Sequence, residues 1–182
     1  MRSIYRPPWR VDVTIRAGVR PPVGAAELAR TIARALDAAG APAPSSIGLI
    51  LADDRELATL NAAHLGHEGP TDVLSFPLFA ATAFPIHAGE PPDRRTGAIP
   101  APFLLPPGRR PHLGDMVVSV ERAVDQALQG RGGHTGHVRW SPADEVRLLV
   151  THGTLHICGW DHADPAEEAA MRTLERKILA AA

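Results

Sequence analysis

The sequence predicts one α+β domain, in which a small mixed four-stranded sheet packs with about five helices across residues 1–182. Three observations support this prediction: a length of 182 residues, a composition that is 45% hydrophobic and 21% charged, and short strand-like runs interspersed with helical stripes. A chain of this length buries roughly 70% of its unfolded surface, so it can form a core without cross-links.

Composition and charge exclude several classes of protein. The 19 basic and 20 acidic residues give a net charge of −1, so the overall charge does not indicate nucleic-acid binding. Binding of nucleic acid through a local basic patch is still possible. The single cysteine, Cys158, excludes a disulfide framework and a cysteine-rich zinc module. No apolar run approaches the ~20 residues of a membrane span, and the first ten residues lack the apolar segment of a signal peptide, so we expect a cytoplasmic protein with no membrane partner.

Four segments have strand patterns. Residues 11–16 alternate apolar and polar side chains, which is typical of a strand with one buried face. Residues 47–51 are almost wholly apolar and indicate a more buried strand. Two further short strands are predicted at residues 73–76, closed by Pro77, and at residues 113–119.

Five segments have the apolar stripe and the end signals of helices. Residues 25–39 end before Gly40, a typical C-terminal cap, and the next helix begins after Asp53, where Glu56 completes a capping box. The remaining three helices begin at capping residues, namely Ser119, Ser141 and Asp164.

The last two helices differ in their patterns. The segment from Ser141 to Cys158 is apolar on nearly every side, so it is predicted to be a central, buried helix. The final helix begins with Asp164 and Glu167 as a capping box and carries Met171 on its apolar stripe.

Residues 78–112 are unlike the rest of the chain. They contain eight prolines and three glycines without a strand or helical period, so they are predicted to form an extended or partly disordered loop insertion. Four arginines of this insertion could contact a nucleic acid, although solvated loop charges are the simpler interpretation: Arg94, Arg95, Arg109 and Arg110.

The most informative stretch is the run from His152 to His162, which reads HGTLHICGWDH. His152 and His156 are four residues apart and therefore lie on one face of a helix, which is the spacing that grips one zinc ion. Gly159 can end the helix and let the chain return with His162 as a third nitrogen ligand. Three imidazoles would leave a fourth zinc position open, as in catalytic sites. The alternative is that these are core histidines with hydrogen-bond partners.

The same spacing occurs in metzincin proteases, with one difference. Those enzymes carry a glutamate after the first histidine as the general base for peptide hydrolysis, and here that position is Gly153. Peptide hydrolysis would therefore lack its usual proton acceptor.

The histidine run resembles the signature of the YbeY-type ribosomal RNA maturation factors, which are bacterial metal-dependent endoribonucleases. Two further blocks carry the resemblance: Pro70–Pro77, which reads PTDVLSFP and is preceded by Leu60 and Asn61, and Leu113–Ser119, which reads LGDMVVS. Together the three blocks span about residues 60 to 162 in the family's order.

The resemblance implies a single α+β domain with a zinc site in a cleft, and one Zn²⁺ per chain bound by His152, His156 and His162. It also implies single-strand-specific endoribonuclease activity in ribosomal RNA maturation and ribosome quality control, with ribosomal RNA and the ribosome or its small-subunit proteins as partners. Two positions depart from the family: His64 stands where an aromatic residue is usual, and Leu65 stands where an arginine is usual, which is suited to clamp a phosphate.

Other residues near these blocks are candidates for weaker roles. Asp161 is a candidate general base, or it orients a ligand histidine through a hydrogen bond. Trp160 could stack on an RNA base or pack against the last helix, and Cys158 is predicted to be a core thiol. Substrate contacts or purely local hydrogen bonds are expected of three residues: Thr71, Asp72 and Ser75.

Two other functions stay open from the sequence. One is a metallohydrolase that acts on a non-RNA substrate, protease-like, and the other is a non-catalytic ribosome assembly factor with a structural metal. The sequence also leaves open whether an activated water or the RNA 2′-hydroxyl is the nucleophile.

Overall fold

The computed structural model describes residues 1–91, 110–129 and 141–180. Within these ranges, five strands form one sheet: β1 (Arg2–Arg6), β2 (Trp9–Ile15), β3 (Ser46–Ala52), β4 (Val73–Pro77) and β5 (His112–Ser119). The strand order is β1-β2-β3-β5-β4, in which β2, β3 and β5 are parallel and the outer strands β1 and β4 are antiparallel to their neighbours. The sheet is therefore mixed, as predicted.

The predicted count of four strands was wrong by one, because β1 was missed. Strand β1 pairs only with β2, and its side chains are mostly exposed; Tyr5, for example, is 59% exposed. An edge strand of this kind has no continuous buried face, so it leaves little periodic signal in the sequence.

In the described part of the chain, five α-helices flank the sheet, as predicted. They are α1 (Ala25–Ala38), α2 (Asp54–Leu65), α3 (Val120–Leu128), α4 (Pro142–Ile157) and α5 (Pro165–Ala180). The main core lies between α1, α4 and α5 and one face of the sheet, while α2 covers a smaller cluster on the other face around Leu57, Leu74 and Val117. Helix α4 contacts α1, α3, α5, β4 and β5, which confirms its central position.

The loop insertion is described only at its two ends. Residues 78–91 contain one short 3-10 turn, Ala81–Ala83, and β5 begins at His112. Residues 92–109, with Arg94, Arg95 and Arg109, lie outside the described residues. Within the part of the chain that the structure describes, no helix is both long enough and apolar enough to cross a membrane.

Candidate metal centre

Helix α4 positions the first two histidines of the motif. The helix begins with a closed capping box, in which Ser141 Oγ accepts the Asp144 N–H at 3.2 Å and Asp144 Oδ2 accepts the Ser141 N–H at 3.1 Å. Because His152 and His156 are one turn apart, their rings lie side by side, with centroids 4.5 Å apart and planes at 82°. Their Nε2 atoms are 2.9 Å apart.

A turn after α4 brings in the third histidine. Gly159 has φ +86°, a left-handed conformation that ends the helix, and the Trp160 N–H returns to the Leu155 carbonyl at 3.0 Å. We name residues 159–162 the ligand turn. It places the ring of His162 at 5.5 Å from that of His152 and 5.0 Å from that of His156. One nitrogen from each ring lies within 4.8 Å of the others, so the predicted convergence is present.

The two helical histidines have fixed tautomers. Nδ1 of His152 lies 2.8 Å from Oε1 of Glu175, and Nδ1 of His156 lies 2.9 Å from the carbonyl oxygen of Trp160. Since a carboxylate and a carbonyl only accept, each Nδ1 carries a proton, and Nε2 is the atom that each ring, when neutral, offers to a metal. At 2.9 Å the two Nε2 atoms are close enough to share a proton in a hydrogen bond, or to face one metal ion when both rings are neutral.

The geometry and chemistry of the triad fit a zinc-like ion. In a tetrahedral zinc site with Zn–N bonds of ~2.0–2.1 Å, two ligand nitrogens lie about 3.3 Å apart. The Nε2 atoms of His152 and His156 are 2.9 Å apart, and all three histidine nitrogens lie within 4.8 Å of one another, so their spacing brackets this value. Burial, together with the charges of His152 and His162, lowers the pKa of His156 to about 4. His156 is therefore neutral at pH 7, which is the form that binds a metal.

The triad opens onto a groove of about 1000 Å³ beside edge strand β4. Helix α4 lies tight against this strand: Ser75 Oγ donates to the Gly153 carbonyl at 3.1 Å, and a Cβ at Gly153 would lie 3.1 Å from Val73 Cγ2 and 3.3 Å from Met116 Sδ. The position that carries the glutamate in metzincins therefore points into a packed contact and has no room for a long side chain.

The three predicted substrate-contact residues all line the groove, and each also makes a hydrogen bond within the protein. Thr71 Oγ1 lies 3.3 Å from Asp72 Oδ1. Asp72 accepts the Val73 N–H at 2.8 Å and a hydrogen bond from the Gln126 amide at 3.1 Å. The local hydrogen bonds expected from the sequence are thus present, and substrate contact stays a prediction.

Asp161 lies in the ligand turn, where its Oδ1 accepts the backbone N–H of His162 at 2.8 Å. The sequence predicted either a base or a carboxylate that orients a ligand ring; the hydrogen bond seen here goes to the ligand's backbone instead. The negative charge of Asp161 also acts on the triad: it raises the pKa of His156, although burial lowers that pKa by more.

Two neighbours of the triad are buried. Cys158 is 1% exposed, and burial raises the pKa of its thiol to about 12, which confirms the predicted core thiol. Trp160 is 8% exposed and stacks on His87, with ring centroids 4.0 Å apart. His87 is thus one packing partner of Trp160 that the sequence did not suggest, and Trp160 also belongs to the buried cluster that includes Met171 of the last helix.

Sequence reasoning missed Glu175, which is 3% exposed and holds His152. A signal was available, because Glu175 lies one turn from Met171 and from Ile178 on the buried stripe of α5. An acidic residue on an apolar stripe needs a partner. Glu167, which was assigned to a capping box, is fully buried and accepts the Asp161 N–H at 3.1 Å.

The groove is acidic over the part that the structure describes. Its described lining includes Asp72 and Asp161 but no lysine or arginine, and Leu65, at the position of the expected phosphate clamp, is 57% exposed there. A neighbouring cavity of about 280 Å³ contains Arg172, which is ion-paired with Glu168.

Comparisons with known proteins agree with the motif. The family model described as "Endoribonuclease YbeY" matches residues 21–182. A protein named Endoribonuclease YbeY from Salinispora tropica is 37% identical over 80% of this chain and 80% of its own length. One of the same name from Thermobifida fusca is 35% identical over 93% of this chain and 92% of its own length. The relative from Symbiobacterium thermophilum is 38% identical over 85% of this chain and 84% of its own.

A solved structure supports the fold. The solution structure of TM1509 from Thermotoga maritima superposes with a TM-score of 0.50 at 15% identity, covering 94% of this chain and 90% of the other. That likeness concerns the fold alone. With the family model spanning most of the chain and relatives above 30% identity, the chain belongs to the endoribonuclease YbeY family.

Proposed function

We propose that this protein is a zinc-dependent, single-strand-specific endoribonuclease that acts in ribosomal RNA maturation and ribosome quality control. The observation that carries the proposal is the convergence of three imidazole nitrogens, one each from His152, His156 and His162, within 4.8 Å of one another at the edge of an open groove. Family membership supplies RNA as the substrate class, since the relatives are named endoribonucleases.

The residues of the chain would divide the work as follows. His152, His156 and His162 would hold one ion, and Glu175 and the Trp160 carbonyl keep the two helical rings oriented for it. A bound Zn²⁺ supplies Lewis acidity that stabilises negative charge on a phosphoryl oxygen. Since Asp161 is adjacent to His162 and lines the groove, its carboxylate is a candidate to accept a proton from the attacking hydroxyl.

The groove favours an extended single strand. Its wall is formed by edge strand β4 and the two residues before it, so Thr71, Asp72 and Ser75 can contact a sugar or a base, and the two helical histidines are partly buried beside this wall. A phosphodiester must enter the groove to reach them, which a flexible strand does more easily than a stacked duplex. Cytoplasmic location and contact with the ribosome or its small-subunit proteins belong to the same proposal.

One observation favours a second candidate, a ribosome assembly factor with a structural metal and no catalysis. The described groove lining carries Asp72, Asp161 and Leu65 and no lysine or arginine to hold a phosphate. A protease is disfavoured, because Gly153 leaves no room for the usual base.

Metal analysis and an RNA cleavage assay test the proposal. Protein purified without chelator should carry one zinc per chain, and His156→Ala should lose both the zinc and cleavage of single-stranded RNA. His67→Ala, at an exposed histidine outside the triad, is the matched control and should retain both.

Three results would decide against the proposal. Wild type without a divalent metal would remove its chemistry, and His156→Ala that cleaves at the wild-type rate would assign the activity to a contaminant. Metal-loaded wild type that binds but never cleaves ribosomal RNA would favour the assembly factor.

A further inference from the structure

His87 belongs to the described end of the insertion, yet it is buried against the ligand turn. Its side chain is 7% exposed, and its ring stacks on Trp160 with centroids 4.0 Å apart and planes at 11°. The Nε2 atom of His87 also lies 3.4 Å from the carbonyl oxygen of Gly159. His87 therefore touches the first two residues of the ligand turn directly.

Two buried carboxylates complete this cluster. Nε2 of His87 lies 3.4 Å from Oε1 of Glu167 and 3.7 Å from Oε2 of Glu90, whose side chains are 0% and 2% exposed. Buried carboxylates are costly unless they have partners, and an imidazole between them offsets that cost. Oε1 of Glu167 also accepts the N–H of Asp161, so the cluster reaches a third residue of the ligand turn.

The backbone of residues 81–90 fits closely on both sides of the turn. A Cβ at Gly89 would lie 2.6 Å from the Ala166 carbonyl oxygen, at the start of α5. A Cβ at Gly159 would lie 2.9 Å from Cα of Ala81. These close approaches are possible because neither residue has a side chain. Both glycines also have positive φ, a conformation that glycine adopts readily.

His162 is the member of the triad with the least support. His152 and His156 have hydrogen-bond partners at Nδ1, whereas the ring of His162 is exposed and has no hydrogen-bond partner among the described residues. Its position must therefore come from the backbone of the ligand turn.

We infer that His87 is a positioning residue for the third metal ligand, His162. Its ring stacks on Trp160, and its Nε2 atom contacts the Gly159 carbonyl and the Glu167 carboxylate. These contacts fix the ligand turn that presents His162. The inference rests on the metal site of the proposed function, and it ties the insertion to that site. His87 does not itself touch the ion; it restricts the places His162 can occupy, which lowers the entropy lost when the ion binds.

Metal affinity in a double-mutant cycle tests this inference. Zn²⁺ affinity would be measured by competition with a chelator for wild type, His87→Ala, His162→Ala and the double variant. We expect His87→Ala to weaken binding about 10-fold in the wild-type background, the lower end for a residue that supports a ligand, and to have no further effect once His162 is gone.

Two more variants keep the test sharp. Ile86→Ala, at a neighbour that is 76% exposed, should leave the affinity unchanged. His87→Gln keeps an N–H donor but loses the stacked ring, and should weaken binding in the same direction if His87→Ala does not fold. Thermal unfolding of the metal-free proteins separates the effects, since a merely structural role lowers Tm without changing metal affinity.

The outcomes are distinct. Wild-type affinity in folded His87→Ala, or an equal loss in both backgrounds, overturns the inference and leaves the proposed function intact. Failure to cleave RNA overturns the proposed function without affecting the cycle. Wild type that binds no zinc overturns both.

Discussion

The carboxylate of Glu175 lies 2.8 Å from Nδ1 of His152, and it reaches that ring from a different helix. Since Glu175 is only 3% exposed, its charge acts on the ring with little screening by water. The contact fixes the tautomer of His152 and raises the basicity of the nitrogen that would bind a metal.

Glu175→Gln should weaken Zn²⁺ binding by about 10-fold, because the amide keeps the size of the side chain but loses its charge. Competition with a chelator measures the change. Glu68→Gln, at an exposed position, is the control and should bind as wild type. Equal affinities for both variants would show that the charge of Glu175 does not act on the site.

The metal-free protein should lose stability as the pH falls from about 6.5 to about 4. The pKa of His156 is lowered from 6.5 to about 4 on folding, so in this window the unfolded chain binds a proton that the folded chain does not. The free energy of unfolding therefore decreases as the pH is lowered, and His156 accounts for about 3 kcal/mol of this decrease.

Denaturant unfolding in the presence of a chelator checks this dependence. Wild type should lose about 3 kcal/mol more than His156→Gln between pH 7 and pH 4. His67→Gln, which removes an exposed histidine, should lose as much as wild type. Parallel pH profiles for wild type and His156→Gln would contradict the assigned shift.

Leu65→Arg should increase RNA cleavage several-fold at low salt, with a steeper salt dependence. Leu65 lines the groove and is 57% exposed, so an arginine there can reach a phosphate without displacing core side chains. Rates measured at two ionic strengths test this. Leu128→Arg adds the same charge outside the described groove lining, and equal gains in both variants would indicate a general charge effect.

Gly153→Glu should not create a peptidase. The added side chain meets Val73, Ser75 and Met116 at 3.1–3.3 Å from its first atom, so the free energy of unfolding should fall by about 3 kcal/mol or more. Urea unfolding and a peptide cleavage assay check both parts. Gly24→Glu, where a Cβ has no neighbour within 4 Å, is the matched control. A stable Gly153→Glu variant with peptidase activity would revive the protease alternative.

The sequence predicted the triad because its geometry is local. The spacing of His152 and His156 follows from the helix repeat, and Gly159 indicates the reversal that brings in His162. Glu175 and His87 could not be placed in the same way, since their contacts depend on how α5 and the insertion pack against α4. The apolar stripe of α5 indicates that Glu175 is buried but not which ring it contacts, and the burial of the His87 side chain is shown only by the fold.

Strand β1 shows the same limit in the sheet. Its neighbour β2 alternates clearly around Val11 and Val13, which are buried, whereas β1 offers only Ile4 to the core. Binary patterning detects strands through the face they bury, so the mostly exposed edge strand β1 is found from its pairing partner, whereas edge strand β4, which buries Leu74, was predicted from its own residues.

Helix α4 ends at Ile157, so two rings of the triad project from its final turns. The carbonyl end of a helix carries about half a negative charge. With Asp72 and Asp161 nearby, this potential attracts cations and opposes polyanions. If the proposed function holds, we therefore expect the metal-free protein to bind RNA more weakly than the metal-loaded protein, because the bound ion offsets this negative potential.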